Sequence, residues 1–505
     1  MNTLNPNQTA SNTLPSPFQA RPRAAALVAA VGLAAALLPA TPALAQIVIG
    51  PVQGPSLGPV ERIAQDTTAG STEHYSIDEN PKGSVSVGTR EIPGLGRGLH
   101  VVRYNAGHGL KDEALFVPPE TWDIVGYSVE TMTNGDLLVA GEIKDDYTGF
   151  GLDNVFVSRI AADLSAVVWT KLLPGSLNHE PSVTAHQIAD GTILVVHNER
   201  PDPNGDLSPS YAYVTRLDVN GQMIWSNKYI LPGAPLGGIG LSDIGQEPTG
   251  PSGNLWAAGW VSTFPISRDP VLLNLDLQFG CPTGEGGWTY PHPVFTTSAF
   301  TSIAFDQVPG DPSYTMVAAG PALGNDFNTF NPRPRIVDVP AGGGCPTWDR
   351  VYDVLMSPAP TALQVYPPSV PGGATIVKVS GTGQFFGFDD QARLLSMSTN
   401  YPLLAFGSTF GNGNPPDTRF NDLGRLGTLI GGREPTPGAT DLYYVCDGET
   451  KCSEPFAAAD LGGGTCAFVF PECIPNQLFA DVTLMPIGTA STNKIICRGY
   501  RPFDF

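Results

Sequence analysis

Short apolar stretches divided by Gly, Asn and Asp turns make up most of the chain, and their pattern repeats. NGDLLVAG (134–141) is followed by VFVSRIAADLSAVVWTKLL (155–173), and DGTILVV (190–196) by YVTRLDVNGQMIWSNKY (213–229). Alternation in V-F-V-S and Y-V-T-R buries one set of side chains and solvates the other, the period-two signature of a strand. The DG and NG pairs tolerate the positive φ that a tight hairpin needs. No helical periodicity runs anywhere beyond residue 45.

The unit continues along the chain. The strand after the first turn recurs as KGSVSVG (82–88), SGNLWAAG (252–259), PSYTMVAAG (312–320), GGATIVKVSG (372–381) and LGTLIGG (426–432), at intervals of about 50 to 62 residues. An alternating third strand follows each copy, as in LHVVRYN (99–105), VLLNLDL (271–277) and PRIVDV (334–339), and in four copies the next strand carries a Trp: Trp169, Trp225, Trp288 and Trp348. Such a unit cannot bury both faces of one sheet alone, which argues against separate small β-domains. Four antiparallel strands per unit predict an all-β fold, a β-propeller of seven four-stranded blades, with six or eight as alternatives and a Cys-rich C-terminal portion. The aromatic on the outer strand is expected to fill the widening space between neighbouring sheets.

Composition agrees with strands and turns. Gly 58 and Pro 49 make about 21% of the 505 residues, and charged residues are only 15%. Residues 1–45 read as a signal peptide: Arg21 and Arg23, an Ala-rich apolar run, then ALA (43–45) before Gln46. Its removal leaves no predicted membrane span and shifts the net charge from −20 to −22, because the segment holds two arginines and no acid. A surface of that sign repels nucleic acid and anionic membranes. The expected location is secreted, periplasmic or cell-surface. Residues 46–71 form a Pro/Gly-rich linker or a ring-closing strand, 72–456 the blades, and 457–505 a Cys-rich segment that completes or caps the last blade.

All seven cysteines lie in the second half of the chain. In an exported protein they read as disulfides. Cys446–Cys452 (CDGETKC) and Cys466–Cys473 (CAFVFPEC) are the candidate local pairs, and the odd count leaves at least one thiol unpaired or paired between chains. Zinc is disfavoured, because no C-x2-C pair or His partner is present.

The pattern "DG turn, L-V-x-G strand, loop, V-x-R-L-D-x-N-G-x-x-x-W" resembles secreted bacterial β-propeller repeats, best over 126–233 and traceably over 72–456. The resemblance implies an extracytoplasmic propeller and transfers no catalytic residue. WD40 and kelch repeats fit poorly, since neither a recurring WD dipeptide nor a recurring Gly-Gly pair is present. Quinoprotein and sialidase-like boxes are not matched either.

Candidate chemistry is sparse. GPSLG (54–58) matches the nucleophile-elbow pattern but lacks the strand and helix that the elbow needs. His186 stands on a first strand and is expected to line the channel, as a hydrogen-bonded wall residue or, on the sharper reading, a base or metal ligand. Asp202, Asn204 and Asp206 alternate in a PDPNGD loop, a spacing that suits Ca2+ as well as a plain turn. Ca2+ is the one cofactor the pattern suggests. The function expected is a binding or scaffold module for an unidentified extracellular ligand or protein. The alternative is a hydrolase, lyase or quinone-dependent dehydrogenase using channel-facing acids and His186.

Overall fold

Every regular element in the described part of the computed structural model is a β-strand. Described are residues 60–66, 72–92, 96–106, 110–117, 123–145, 152–173, 183–199, 210–232, 237–250, 253–264, 267–291, 295–307, 312–324, 333–352, 360–366, 375–383, 391–399, 402, 404–410, 419–423, 429–433, 441–446, 454–460, 466–476, 480–481 and 484–487. All of them belong to one unit, which begins at Gln53.

The first strand, β1 (Val60–Asp66), pairs with a strand from much later in the chain. Next comes an antiparallel meander, β2 (Thr72–Asn80), β3 (Gly83–Ile92), β4 (Gly96–Asn105) and β5 (Leu110–Val117). A second joins β6 (Asp123–Thr131), β7 (Leu137–Asp145), β8 (Leu152–Ile160) and β9 (Val167–Leu173). A third joins β10 (Thr184–Gln187), β11 (Ile193–Glu199), β12 (Tyr211–Leu217) and β13 (Met223–Ile230). The fourth runs through β14 (Gly238–Gln246), β15 (Leu255–Phe264), β16 (Ser267–Leu275) and β17 (Pro282–Thr289). In the fifth, β18 (Phe295–Ser298) and β19 (Ser302–Asp306) both pair with β20 (Thr315–Gly324), followed by β21 (Arg333–Pro340) and β22 (Trp348–Tyr352). The sixth is β23 (Pro360–Tyr366), β24 (Ile376–Gly383), β25 (Gln391–Ser398) and β26 (Leu404–Phe410). Last come β27 (Arg419–Leu423), β28 (Leu429–Arg433) and β29 (Asp441–Cys446), with β1 against β29.

The meanders are arranged as a β-propeller. Four sheets stand as discrete blades: β1 with β27–β29, and those built on β2–β5, β6–β9 and β10–β13. Strands β14–β26 join with two C-terminal strands into one fifteen-stranded network. Four of the expected four-stranded blades are thus discrete sheets, whereas β14–β26 are not divided into separate ones. A single parallel bridge links β16 to β18, and one C-terminal strand pairs with both β22 and β26, so those sheets are continuous.

Apolar residues fill the spaces between consecutive meanders. Val87, Leu99 and Phe116 pack with Ile124, Val139 and Phe156 between the first and second, and Ala140 and Val157 with Ala185 and Val195 between the second and third. The Gly that closes the L-V-A-G strand is required by the backbone of the inner strand paired beside it in the same sheet. A Cβ on Gly141 would lie 1.9 Å from the Val125 carbonyl oxygen, and one on Gly259 2.0 Å from that of Gly240. The inner strand bulges across both positions, between Gly126 and Ser128 and between Leu241 and Asp243.

Contacts between meanders also explain the V-x-R-L-D-x-N-G-x-x-x-W spelling. Arg159 ion-pairs with Asp136 of its own NGD turn at 2.6 Å and donates through Nη1 to the Val219 carbonyl of the next meander at 3.0 Å. The Trp169 indole, directly across the strand pair, donates to that same carbonyl at 3.1 Å. One repeat later Arg216 pairs with Asp190, and Arg216 Nη1 and Trp225 Nε1 both donate to the Leu277 carbonyl, at 2.7 and 3.2 Å. In these two repeats Arg and Trp thus form one device that docks a meander onto the turn of the next.

The C-terminal segment does not finish a single blade. Its strands are β30 (Glu454–Asp460), β31 (Ala467–Val469), β32 (Glu472–Pro475), β33 (Ala480–Asp481) and β34 (Met485–Ile487). They pair antiparallel with β22 and β26, then β17, β13, β9 and β5. The segment therefore passes along the outer strands of the meanders in reverse chain order. Two disulfides staple it, Cys345–Cys466 and Cys281–Cys473. The expected local Cys466–Cys473 pair is corrected: the two cysteines bond to different meanders, Cys466 to Cys345 between β21 and β22 of the fifth and Cys473 to Cys281 between β16 and β17 of the fourth. Cys446 ends β29, and Cys452 lies outside the described residues.

Candidate functional site

The inner strand of each of six meanders faces a central cavity of about 750 Å3. As edge strands they leave backbone N–H groups unpaired within their own sheets, and such groups need partners. Side chains of the preceding inner strand supply them. Ser76 Oγ accepts from Val129 N at 3.2 Å, and Asp78 Oδ2 from Thr131 N at 2.7 Å. One step on, Ser128 Oγ accepts from Ala185 N at 3.3 Å, and Glu130 Oε2 from Gln187 N at 3.1 Å. Thr184 then donates to the Ser242 carbonyl at 2.9 Å, and Asp243 Oδ2 accepts from Ser302 Oγ and Ile303 N at 3.0 and 2.9 Å. The channel wall is a relay of inter-blade hydrogen bonds.

His186 sits at the centre of this relay, on β10. Its Nδ1 donates to Glu130 Oε2 and its Nε2 to Asp243 Oδ1, both at 3.1 Å. Burial alone would lower the imidazole pKa, but the hydrogen bonds to Asp243 and Glu130, with the charges of both carboxylates, push it up to about 10. The side chain keeps 39% of its surface accessible, and it lines the cavity. At neutral pH it is a cation with both ring N–H groups committed. Among the described lining residues Asp78, Glu130, Asp243 and Glu247 are acidic and His186 is the one basic group. Tyr75 and Tyr127 add an edge-to-face aromatic pair with centroids 5.0 Å apart. Tyr127 donates to Glu142 at 3.2 Å, and burial, with Glu142 next in effect, holds its hydroxyl well above the ordinary tyrosine range.

Of the residues singled out in the sequence, the cavity contains His186 alone. His197 lies fully buried on β11, stacked on Tyr213 at 4.9 Å. Asp202, Asn204 and Asp206 lie outside the described residues, as does GPSLG. Among the described residues no group of three His, Cys, Asp or Glu side chains is placed to hold a metal.

Sequence reasoning missed Glu130 and Asp243, although a signal was there. Ser76-Ile77-Asp78, Ser128-Val129-Glu130 and Thr184-Ala185-His186 occupy the same place on successive inner strands, and Asp243 stands where Ser76 and Ser128 do, just past a bulge that β2, β6 and β14 share. A small hydroxyl and, two residues on, a charged group form a recurring S/T-x-D/E/H element. It is visible only once the first strands are aligned. No family model matches the chain, and no curated protein matches it. The geometry of the channel and of the outer segment therefore carries the functional reading.

Proposed function

We propose that this chain is an exported seven-bladed β-propeller of the secreted bacterial repeat type, acting as a binding or scaffold module. The observation that carries the reading is the state of His186. A general base needs a lone pair and a general acid needs a proton it can give up. A protonated imidazole clamped on both nitrogens by Glu130 and Asp243 offers neither near neutral pH. The convergent charges act between blades, as ring staples, and the cavity they border favours a cationic ligand over an anionic one.

Sevenfold closure is supported by the seven successive meanders, the last completed by β1. Export is supported by the leader-like residues 1–45 and by two disulfides, which suit an oxidising compartment. Ca2+ at Asp202, Asn204 and Asp206 belongs to the same proposal and is read by the melting temperature with EDTA and with added Ca2+.

The test screens the mature chain, residues 46–505, against hydrolase, lyase and quinone-dehydrogenase substrates, with H186Q and E130Q as controls. In parallel it is cross-linked in envelope and culture-medium fractions. Recurrent cross-links from one face to a single partner, without turnover, are the expected result. Turnover abolished by either variant would overturn the reading in favour of an enzyme.

A further inference from the structure

The outer segment holds a feature that the channel does not explain. Strands β30–β34 cover the outer edges of blade after blade, yet most of these strands are very short. β33 has two residues, and β31 and β34 three each. Pairing of that length holds weakly by itself. What lies beneath is apolar: Val469 and Leu484 complete two of the inter-blade cores, and Cys466 and Cys473 pack against two. Phe468 packs at a tilt of 38° against Trp288, with ring centroids 3.9 Å apart. Outward, Phe468 and Phe470 remain 58% exposed. The described covalent anchors are the two bridges, at Cys466 just before β31 and at Cys473 within β32.

We propose that this segment is a redox-latched strap and that its release lets two copies of the chain exchange straps. Reduction takes two electrons and two protons per bridge from an external dithiol, which is itself oxidised to a disulfide, and leaves two cysteine thiols. The freed segment uncovers β13 and β17, whose outer edges then present unpaired backbone groups and apolar surface. The occupant that fits is a second strap, because the segment's sequence and register already complement those edges. Exchange of an identical element between protomers is a low-cost route to a dimer. Reoxidation by a small-molecule disulfide, which takes up the two electrons and two protons and is itself reduced to two thiols, then joins Cys281 of one copy to Cys473 of the other.

Two measurements on the mature chain test the proposal. Deuterium exchange under dithiothreitol is expected to show lost protection in 466–487, β13 and β17, with β6–β8 keeping theirs. Unchanged protection of the strap overturns the latch. Loss across β6–β8 as well overturns it too, since the bridges would then hold the whole fold. In the second measurement, 14N- and 15N-labelled chains are mixed, reduced and reoxidised. Peptides joining light Cys281 to heavy Cys473, with a dimer by light scattering, are expected. Same-isotope bridges alone, in a monomer, overturn the exchange. The oxidised C473S variant, which keeps Cys345–Cys466, is expected to lose protection from β32 onward. Exchange identical to that of the oxidised wild type would show that the Cys281 bridge latches nothing.

Discussion

Replacing His186 with glutamine removes the cation from the channel clamp while keeping a polar side chain of similar reach. The folded protein holds this imidazole protonated up to about 10, against an ordinary value of 6.5. At about 1.4 kcal/mol per pH unit, the full difference would be about 5 kcal/mol. The side chain is 39% accessible to channel water, and exposed pairs lose most of their Coulomb energy to solvent, so ~2 kcal/mol is the expected cost of H186Q at pH 6. The sign follows from linkage. Between 6.5 and about 10 the folded state binds a proton that the unfolded state has lost, so this contribution is complete below 6.5 and disappears as pH rises through about 10. Two assays read it. Histidine Cε1–H resonances followed from pH 5 to 11, with His186 assigned by its disappearance in H186Q, should show a midpoint far above the others. The denaturant midpoint of wild type minus that of H186Q should be largest at pH 6 and shrink towards pH 10. A His186 midpoint near 6.5, or a stability difference independent of pH, would refute the clamp.

Three further outcomes are expected. Arg335 and Asp349 form a fully buried bidentate pair, at 3.0 and 2.6 Å, with Arg335 also donating to the Tyr290 carbonyl at 2.9 Å. D349A strands the guanidinium and should cost about 3–5 kcal/mol by denaturant unfolding, whereas the apolar double variant R335M/D349L should cost much less. Burial raises Asp338 to about 6, so its ionisation opposes folding, and stability falls as pH rises from 3.8 through about 6. D338N should therefore raise the unfolding free energy at pH 8 by up to ~3 kcal/mol, read from the denaturant midpoint, and leave it nearly unchanged at pH 4. W225F keeps the ring but loses the bond to the Leu277 carbonyl. It should cost about 1 kcal/mol, an amount readable as a lower denaturant midpoint at constant slope.

Period and turn chemistry made the meanders legible, because both are local. The NGD and DG turns, the alternating third strands and the Trp on the fourth are all where the sequence places them. What local patterns cannot carry is which strand an outer edge accepts. Nothing in CAFVFPEC says that Cys466 and Cys473 will lie on different meanders, since that depends on a segment running backwards along strands formed up to 370 residues earlier, as Ile487 does opposite Leu115. The channel was half legible. His186 stood out as a rare residue type, whereas Glu130 and Asp243 looked like ordinary acids until the inner strands came into register. Fusion of the blades through β30 was hidden for the same reason as the strap.

The protein therefore has two closures, and they are physically independent. One is non-covalent: β1, which precedes the first meander, pairs with β29 from Val60↔Cys446 to Asp66↔Asp441. The other is the strap, whose bridges join residues 192 and 121 apart in the chain. Closing loops of that size restrains the unfolded chain by about 5 kcal/mol for a single bridge, although the second, nested inside the first, adds less than its own full value. Opening the ring at β1–β29 leaves the strap bound across the outer strands, and releasing the strap leaves β1–β29 paired. Each closure thus protects the other's failure, and the strap can be released by reduction without opening the ring. This separation lets a redox event change the outer surface while the channel, with its chain of Ser, Asp, Glu and His contacts, keeps its geometry.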